Sequence, residues 1–415
     1  MFHILDSLNK KAVSAVDMSY FRYFYWVLEG DIKVIWIVGE RGIGKTTALL
    51  QFAKTHSKCF YLSADNALVL SYGLFKLAYE LFVDYWMEVI LIDEIHKYPN
   101  WTLELKNIID SFPEKKILFS GSSSLDIIKG TSSLERRVKI VKVYPLDFSE
   151  FMQLYYSISL PTYSFEELMG NYKKISYELG SLVKKHHIEH FIKTGFYPYS
   201  KDFQEEDFYE KIFNTLEKVI VEDLPSFINF QTSTLIKVKK IFYFIANTLP
   251  GDLNYSSLGR KVWIHSDTLE NILFILSNIG IIHLLPKSVW LSDLLRKEFK
   301  IYLWNPNLYY SFNNQISSGI IREAFVLHFL KKLINNRNVL STDLSLPKSG
   351  DIHFLYKQKN YTFEIWWKNK TSKQLEDLEN SFVIADDIII GEQNRIPLWL
   401  FGLISWSNED WKSVK

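Results

Sequence analysis

The stretch that decides the fold of the first part of this chain is Gly39-Glu40-Arg41-Gly42-Ile43-Gly44-Lys45-Thr46-Thr47. Residues 32–38 before it are mostly apolar and predict a buried strand, and residues 46–54 after it predict a helix. A glycine-rich loop in this position lets backbone N–H groups surround phosphate oxygens, and the helix N-terminus adds partial positive charge. The sequence therefore predicts a phosphate-binding P-loop and, with it, the binding of a nucleoside triphosphate.

Individual residues of this loop receive separate roles. Lys45 is predicted to neutralise the β- and γ-phosphate oxygens, and the Thr46 hydroxyl is predicted to hold Mg²⁺. The residues expected to contact the nucleotide are Gly39, Arg41, Gly42, Ile43, Gly44, Lys45, Thr46 and Thr47. We therefore expect ATP and Mg²⁺ as cofactors.

A second buried strand is predicted at residues 89–92, and it ends in Asp93-Glu94. Asp93 is predicted to help hold Mg²⁺, and Glu94 is predicted to orient and deprotonate the attacking water. Such a carboxylate pair alone is equally compatible with a helix N-cap. Its combination with the P-loop favours hydrolysis, and the strand and helix between Lys45 and Asp93 indicate an additional-strand ATPase rather than a GTPase or a small-molecule kinase.

Polar residues follow the fourth predicted strand, 116–119, in the stretch Ser120-Gly121-Ser122-Ser123-Ser124. Ligands collect at the carboxyl ends of parallel strands, so Ser122 or Ser120 is a candidate γ-phosphate sensor; a plain serine-rich turn is the alternative. Arg136 and Arg137 precede a fifth strand at 138–143. Either arginine is compatible with a phosphate contact, in its own chain or a neighbour's, or with a surface position, and Arg137 is named as the catalytic candidate.

Composition limits the class of protein. At 415 residues the chain is too long for one ordinary core, and its 47% hydrophobic and 23% charged residues are typical of a folded soluble protein. A net charge of +1 argues against a globally basic nucleic-acid binder. The single cysteine, Cys59, and the lack of a signal-peptide pattern predict a cytoplasmic protein, and no stretch is apolar for long enough to predict a membrane span.

Longer stretches resemble a known family. Three of them are Asp93-Glu94-Ile95-His96-Lys97-Tyr98-Pro99-Asn100-Trp101, Ser120-Gly121-Ser122-Ser123 and Tyr144-Pro145-Leu146-Asp147-Phe148-Ser149-Glu150-Phe151. Four more are found at residues 195–198, 350–354, 363–368 and 396–402. Together they resemble the archaeal and bacterial AAA+-type ATPases that carry a C-terminal restriction-endonuclease-like domain. The resemblance implies ATP binding and hydrolysis and supplies no settled cellular role.

The expected fold class is α/β. Residues 1–152 are predicted to form the P-loop core, a doubly wound parallel sheet of the additional-strand, AAA+-like type. A helical lid is expected at 153–232 and a winged-helix-like module at 233–290. Residues 291–415 are expected to form a restriction-endonuclease-like α/β domain.

The predicted winged helix has a charge pattern that does not favour DNA reading. Its third helix, from Asp267 onward, carries Asp267 and Glu270, and no Lys or Arg occurs between Ser266 and Leu285. A helix that enters the major groove needs cationic contacts to phosphates. We therefore interpret the module as a structural or partner-docking element. Charge reversal at Lys237, Lys239, Lys240, Arg260 and Lys261 tests this interpretation, because a loss of DNA affinity would overturn it.

The C-terminal residues suggest a nuclease-like frame with impaired or absent chemistry. This segment holds Glu323 on a predicted helix, Asp351 before an apolar strand and Glu364 on the next strand. The resemblance implies that an Asp and a Glu of that fold hold Mg²⁺ and that a lysine two residues after the glutamate assists the nucleophile. Trp366 stands at that position here, and the nearest lysine on the same strand face is Lys368. Four strand residues span about 13 Å, a long reach for one metal site.

Three functional hypotheses remain at this stage. The first is an ATP-hydrolysing conformational switch, the second an ATP-gated nuclease acting on mobile or foreign DNA, and the third a nucleotide-bound scaffold without turnover. Glu94 favours the first hypothesis over the third, and Trp366 weighs against the second. A protein partner and self-association are left open, and no membrane partner is expected.

Overall fold

The computed structural model describes residues 2–121, 134, 136–224, 232–248, 250–251, 253–287, 298–312, 316–335, 343–365 and 379–405. The chain divides into two compact units, one containing Met1–Pro145 and the other Leu146–Asn408. Each unit is described by itself. Within the described ranges, no helix combines the length and the apolar character that a membrane crossing requires.

The first unit is built on a five-stranded parallel sheet in the order β2-β3-β4-β1-β5. Its strands are β1 (Val34–Val38), β2 (Cys59–Ser63), β3 (Val89–Asp93), β4 (Lys116–Gly121) and β5 (Lys139–Lys142). Strands β1 and β3 are buried along their whole length, as expected for parallel strands covered on both faces. The predicted α/β core with a parallel sheet is confirmed, and β4 is the strand that separates β1 from β3.

Within the described residues of this unit, six α-helices accompany the sheet. They are α1 (Phe2–Ala15), α2 (Tyr25–Glu29), α3 (Lys45–Thr55), α4 (Ala67–Tyr72), α5 (Leu74–Val83) and α6 (Trp101–Ser111). Aromatic side chains fill the core, because the Trp36 ring stacks on Phe119 at 5.6 Å and meets Trp101 edge-on at 5.5 Å. The buried β1 strand is therefore held rigidly where it enters the P-loop.

The second unit begins with helices and continues with a small sheet. The helices are α7 (Phe148–Tyr156), α8 (Phe165–Leu179), α9 (Lys185–Thr194), α10 (Glu205–Lys218), α11 (Thr232–Asn247), α12 (Tyr255–Val262) and α13 (Ser266–Asn278). The strands β6 (Leu253–Asn254), β7 (Ile282–Pro286) and β8 (Glu298–Leu303) form an antiparallel sheet in the order β6-β8-β7. The winged-helix interpretation of this segment stays a prediction.

The rest of the second unit contains a mixed five-stranded sheet. Its strands, in the order β13-β12-β11-β10-β9, are β9 (Asp343–Ser345), β10 (Ile352–Tyr356), β11 (Lys359–Ile365), β12 (Ser381–Ala385) and β13 (Arg395–Pro397). The pairs β9–β10 and β10–β11 are antiparallel, and β11–β12 and β12–β13 are parallel. The described residues of this part also form the helices α14 (Pro306–Tyr310), α15 (Ser318–Asn335) and α16 (Leu398–Phe401). The nuclease-like interpretation also stays a prediction.

Two buried histidines of the second unit share one backbone carbonyl. His283 Nε2–H donates to Trp304 O at 2.8 Å, and His328 Nδ1–H donates to the same oxygen at 3.2 Å. Burial lowers the pKa of His328 to about 3 and lowers the pKa of His283 well below its usual range. Both side chains are therefore neutral in the folded chain at neutral pH.

Acidification is expected to destabilise the second unit through this histidine pair. In the unfolded chain each imidazole binds a proton near pH 6.5, so below that pH the unfolded state holds more protons than the folded state. This contribution to stability is present well above pH 6.5 and is lost as the pH falls through 6.5, with His328 alone accounting for about 2 kcal/mol by pH 5 and His283 acting in the same direction. Urea unfolding at pH 7.5 and pH 5.0 measures this, and a His328→Asn variant should show a smaller pH dependence. An equal pH dependence in the variant would contradict the assignment.

Candidate functional site

The P-loop joins the end of β1 to the start of α3, and its glycines are sterically required. Gly44 has φ +94° and immediately precedes Lys45, the first residue of α3. A Cβ atom on Gly39 would lie only 2.3 Å from the carbonyl oxygen of Val143. The loop therefore depends on a left-handed residue at its helix end and on a missing side chain at its strand end.

The Lys45 side chain is buried against the P-loop backbone. Its Nζ donates hydrogen bonds to the carbonyl oxygens of Gly39, at 2.8 Å, and Glu40, at 2.6 Å, and the residue is only 5% exposed. Burial lowers the pKa of the Lys45 ammonium, and the carboxylates of Glu94 and Asp93 oppose that shift. The ammonium is therefore held close to both carboxylates at the carboxyl edge of the sheet.

Asp93 accepts hydrogen bonds from three hydroxyl groups. Thr46 Oγ1 donates to Asp93 Oδ2 at 2.7 Å, and the Tyr61 hydroxyl donates to the same oxygen at 3.0 Å. The Ser120 hydroxyl donates to Asp93 Oδ1. The structure thus brings together the two residues expected at the metal, Thr46 on α3 and Asp93 at the end of β3, although β4 lies between β3 and β1, the strand that leads into the P-loop.

Glu94 has an unusual backbone and a crowded side chain. Its φ of +52° and ψ of +41° are left-handed, a conformation that non-glycine residues adopt rarely. Its backbone N–H donates to Ser120 Oγ at 3.1 Å. Burial raises the pKa of the Glu94 carboxyl, and the nearby Lys45 ammonium opposes that shift. A carboxylate made more basic by burial is suited to accepting a proton.

His96 is a neighbour of Glu94 to which the sequence reasoning assigned no role. Its Nε2 lies 3.5 Å from Glu94 Oε2. Burial lowers the pKa of His96 to about 3, and the positive charges of Lys45, Lys97 and Arg41 add to this effect. The imidazole is therefore neutral at neutral pH, and its contact with Glu94 is dipolar rather than an ion pair.

Arg22 also supports the P-loop without having been predicted. Its guanidinium is 5% exposed and donates to the carbonyl oxygens of Ile43 and, at 2.9 Å, of Tyr144. It therefore fastens the loop to the segment that follows β5. No sequence spacing predicts that Arg22 contacts the loop. Tyr61 lies on β2 and His96 follows β3, and both strands end at the edge of the sheet where the P-loop lies.

The remaining loop residues predicted to contact nucleotide also lie in this region. Gly42 has a positive φ of 79°, and the Arg41 charge acts on His96. Ile43 is buried and its carbonyl oxygen accepts from Arg22, and Thr47 is exposed beside Thr46.

Ser120 lies beside Asp93 and Glu94, whereas Arg137 lies away from them. Ser120 is fully buried and bonded to Asp93 and to the Glu94 amide, while Ser122 lies outside the described residues. Arg137 Nε donates to Asp110 Oδ1 at 2.8 Å. Arg136 and Arg137 are exposed and lie just before β5. Strand β5 runs about 10 Å from Lys139 to Lys142, which pairs with Val38 at the end of β1 next to the P-loop. The structure does not bring Arg137 together with Lys45.

The carboxylates of the predicted nuclease site have other partners. Asp351 Oδ2 accepts from the Ile365 N–H at 2.8 Å, and Glu323 Oε2 accepts from the Tyr302 hydroxyl at 2.6 Å. Glu364 is 7% exposed on β11, and Trp366 and Lys368 lie outside the described residues. Within those residues no group of three or more His, Cys, Asp or Glu side chains is arranged to hold a metal ion.

Comparison with protein families identifies the region that holds the P-loop. Residues 31–152 match the model of an AAA domain. They form an AAA-type domain. The P-loop, Asp93 and Glu94 all lie within residues 31–152, so the residues predicted to bind nucleotide belong to the region that matches an AAA domain. Residues 185–318 match a domain of unknown function, DUF8612, which crosses the expected boundaries at 232/233 and 290/291.

Individual relatives are similar over most of the chain. The uncharacterized protein MJ1637 of Methanocaldococcus jannaschii is 27% identical over 400 residues, covering 89% of this chain and 83% of the relative. The AMPPCP-bound DnaA structure from Aquifex aeolicus has 18% identity and a TM-score of 0.27, covering 66% of this chain and 88% of that chain. A structure of RuvB from Thermotoga maritima has 14% identity and a TM-score of 0.28, covering 72% of this chain and 91% of that chain. Both TM-scores are below 0.5, so neither similarity informs on function.

Proposed function

We propose that this chain binds ATP with Mg²⁺, hydrolyses it to ADP and phosphate, and uses the nucleotide state to drive a conformational switch. The observation that carries the proposal is the 2.7 Å hydrogen bond between Thr46 Oγ1 and Asp93 Oδ2. It places a hydroxyl and a carboxylate, both oxygen ligands of the kind that Mg²⁺ prefers, beside the buried Lys45. The AAA-type domain at residues 31–152 supports the proposal.

The residues of the site divide the chemistry between them. Lys45 and the loop amides would bind the β- and γ-phosphates, and Thr46 and Asp93 would hold Mg²⁺, which supplies positive charge to the phosphate oxygens. Glu94 would take a proton from the attacking water as the oxygen bonds to the γ-phosphorus and ADP leaves. The Ser120 hydroxyl, bonded to both Asp93 and the Glu94 amide, fixes these two residues relative to each other.

Removal of Mg²⁺ tests the proposal. Phosphate release from ATP by the purified protein is expected with excess Mg²⁺ and is expected to fall to the buffer rate in EDTA, because the leaving-group charge is then not neutralised. A Thr46→Ala variant should lose turnover even with Mg²⁺, whereas Thr55→Ala, at the far end of α3, should retain it. Hydrolysis at an unchanged rate in EDTA would contradict the proposed metal role.

His96 is proposed to orient Glu94. A His96→Phe variant is expected to lower kcat roughly 10-fold, equal to about 1.4 kcal/mol, with KM unchanged. A His96→Gln variant keeps a polar group and should recover part of the rate. Because His96 is neutral, neither variant should shift the pH profile of kcat between pH 6 and 8. A profile that moves in this range would show that His96 itself titrates during turnover.

Self-association is proposed as the setting in which Arg137 would reach a phosphate. Its position before β5, paired with Asp110, leaves its own Lys45 out of reach in this structure. ATPase activity per mole of protein, measured across protein concentrations, is expected to rise as copies associate. A nuclease activity is not proposed, since Trp366 stands where the resembling fold has a lysine.

A further inference from the structure

A surface on α11 and α12 exposes aromatic side chains beside lysines. Trp263, which follows α12, is 70% exposed, and Tyr243 on α11 is 48% exposed. Lys240 Nζ lies 4.6 Å from the centre of the Trp263 ring, and Lys261 Nζ lies 5.0 Å from the centre of the Phe244 ring. We call these five residues the basic-aromatic face.

Trp263 is not explained by the stability of the fold. Its backbone is left-handed, with φ +57° and ψ +45°, at the C-terminal end of α12. Glycine is the residue usually found at such a position, because it has no Cβ to strain. The exposed ring gains little from burial. Its backbone conformation is therefore unfavourable for folding and its side chain is little buried, a combination that points to a role at the surface.

The charge of the surface fits a polyanion. Helices α11 and α12 contain Lys237, Lys239, Lys240, Arg260 and Lys261 and have no Asp or Glu in their sequences. Lys239 is paired with Glu217 of α10, which leaves four cationic side chains on the two helices outside that pair. The acidic residues Asp267 and Glu270 belong to α13, where Asp267 lies 3.9 Å from His265 and the Glu270 charge acts on Tyr255 of α12.

We propose that the basic-aromatic face binds single-stranded nucleic acid. Bases have flat faces that stack on exposed aromatic rings, and the phosphates between them are attracted by lysines held beside those rings. Trp263 and Tyr243 would receive bases, and Lys240 and Lys261 would contact phosphates. This surface is separate from α13, so the expectation that α13 does not read a DNA duplex is unaffected, but the proposal replaces the interpretation of this segment as a structural or partner-docking element.

The test uses the full-length protein and a fluorescently labelled 20-nucleotide oligo-dT, with anisotropy measured at several salt concentrations and without nucleotide. Binding that weakens as salt rises is expected. Trp263→Gly should weaken binding about 5- to 100-fold, the loss of one stacked base, and its melting temperature should equal or exceed that of the parent. Lys240→Glu/Lys261→Glu should weaken binding and flatten the salt dependence.

Two matched controls separate this surface from general effects. Phe274→Ala removes another exposed aromatic side chain, on α13. Lys211→Glu reverses the charge of a lysine on α10 whose Nζ lies 4.1 Å from the centre of the Phe203 ring. Both should bind like the parent. The proposal is overturned if the parent does not bind oligo-dT at low salt, or if Trp263→Gly and Lys240→Glu/Lys261→Glu bind as the parent does. A duplex bound more tightly than oligo-dT, with no effect of Trp263→Gly, also overturns it.

Discussion

A Glu94→Gln variant is expected to bind ATP as tightly as the parent chain and to lose turnover by about 10²- to 10⁴-fold. Glutamine has the same shape, so the hydrogen bond from the residue-94 amide to Ser120 Oγ is retained. The amide side chain cannot take a proton from water at neutral pH. The loss therefore appears in kcat and not in nucleotide affinity.

The measurement combines calorimetric titration with ATP and a phosphate-release assay. Glu88→Gln is the matched control, because Glu88 precedes the same strand at its opposite end and pairs with Lys115. That variant should bind and hydrolyse ATP like the parent. Parental turnover by Glu94→Gln would show that Glu94 is not the base.

A Lys45→Ala variant is expected to lose nucleotide binding itself. The buried ammonium is the positive charge closest to the loop carbonyls of Gly39 and Glu40, and charge-assisted hydrogen bonds to phosphate are worth about 1.5–3 kcal/mol each. Two such bonds correspond to a weakening of the Kd of roughly 10²-fold or more. Turnover should fall to background.

Lys54→Ala is the control for this variant. Lys54 lies on the same helix and donates to the carbonyl oxygens of Ser14 and Val16, away from the P-loop. Its removal should leave the Kd for ATP unchanged. Lys45→Ala and the parent should also be compared by thermal melting, so that lost binding is not confused with lost folding. An unchanged Kd in Lys45→Ala would contradict the phosphate role.

The local parts of the nucleotide site are visible in the sequence because they depend on neighbouring residues. The buried runs before Gly39 and Asp93, and the helix after Gly44, follow from apolar patterning and glycine placement. The meeting of Thr46 with Asp93 also follows, because carboxyl ends of parallel strands share one edge. The structure contains both elements at that edge.

Other parts of the site depend on which strands become neighbours, and the sequence does not encode this locally. The insertion of β4 between β1 and β3 brings Ser120 to Asp93. The edge position of β2 brings the Tyr61 hydroxyl to the same carboxylate. Arg137 is the opposite case, because the sequence already places it before β5, and the amino ends of parallel strands lie at the edge of the sheet away from the loop.

The left-handed backbone of Glu94 lowers thermal stability at the residue that is proposed to be needed for turnover. Holding a non-glycine residue at φ +52° costs about 1–3 kcal/mol, which glycine at position 94 would recover. A selection for thermal stability alone would therefore favour Glu94→Gly, which removes the proposed base. In this chain, a raised melting temperature after a substitution at residue 94 would be expected to come with a loss of turnover. Stabilising substitutions should therefore be made at other positions.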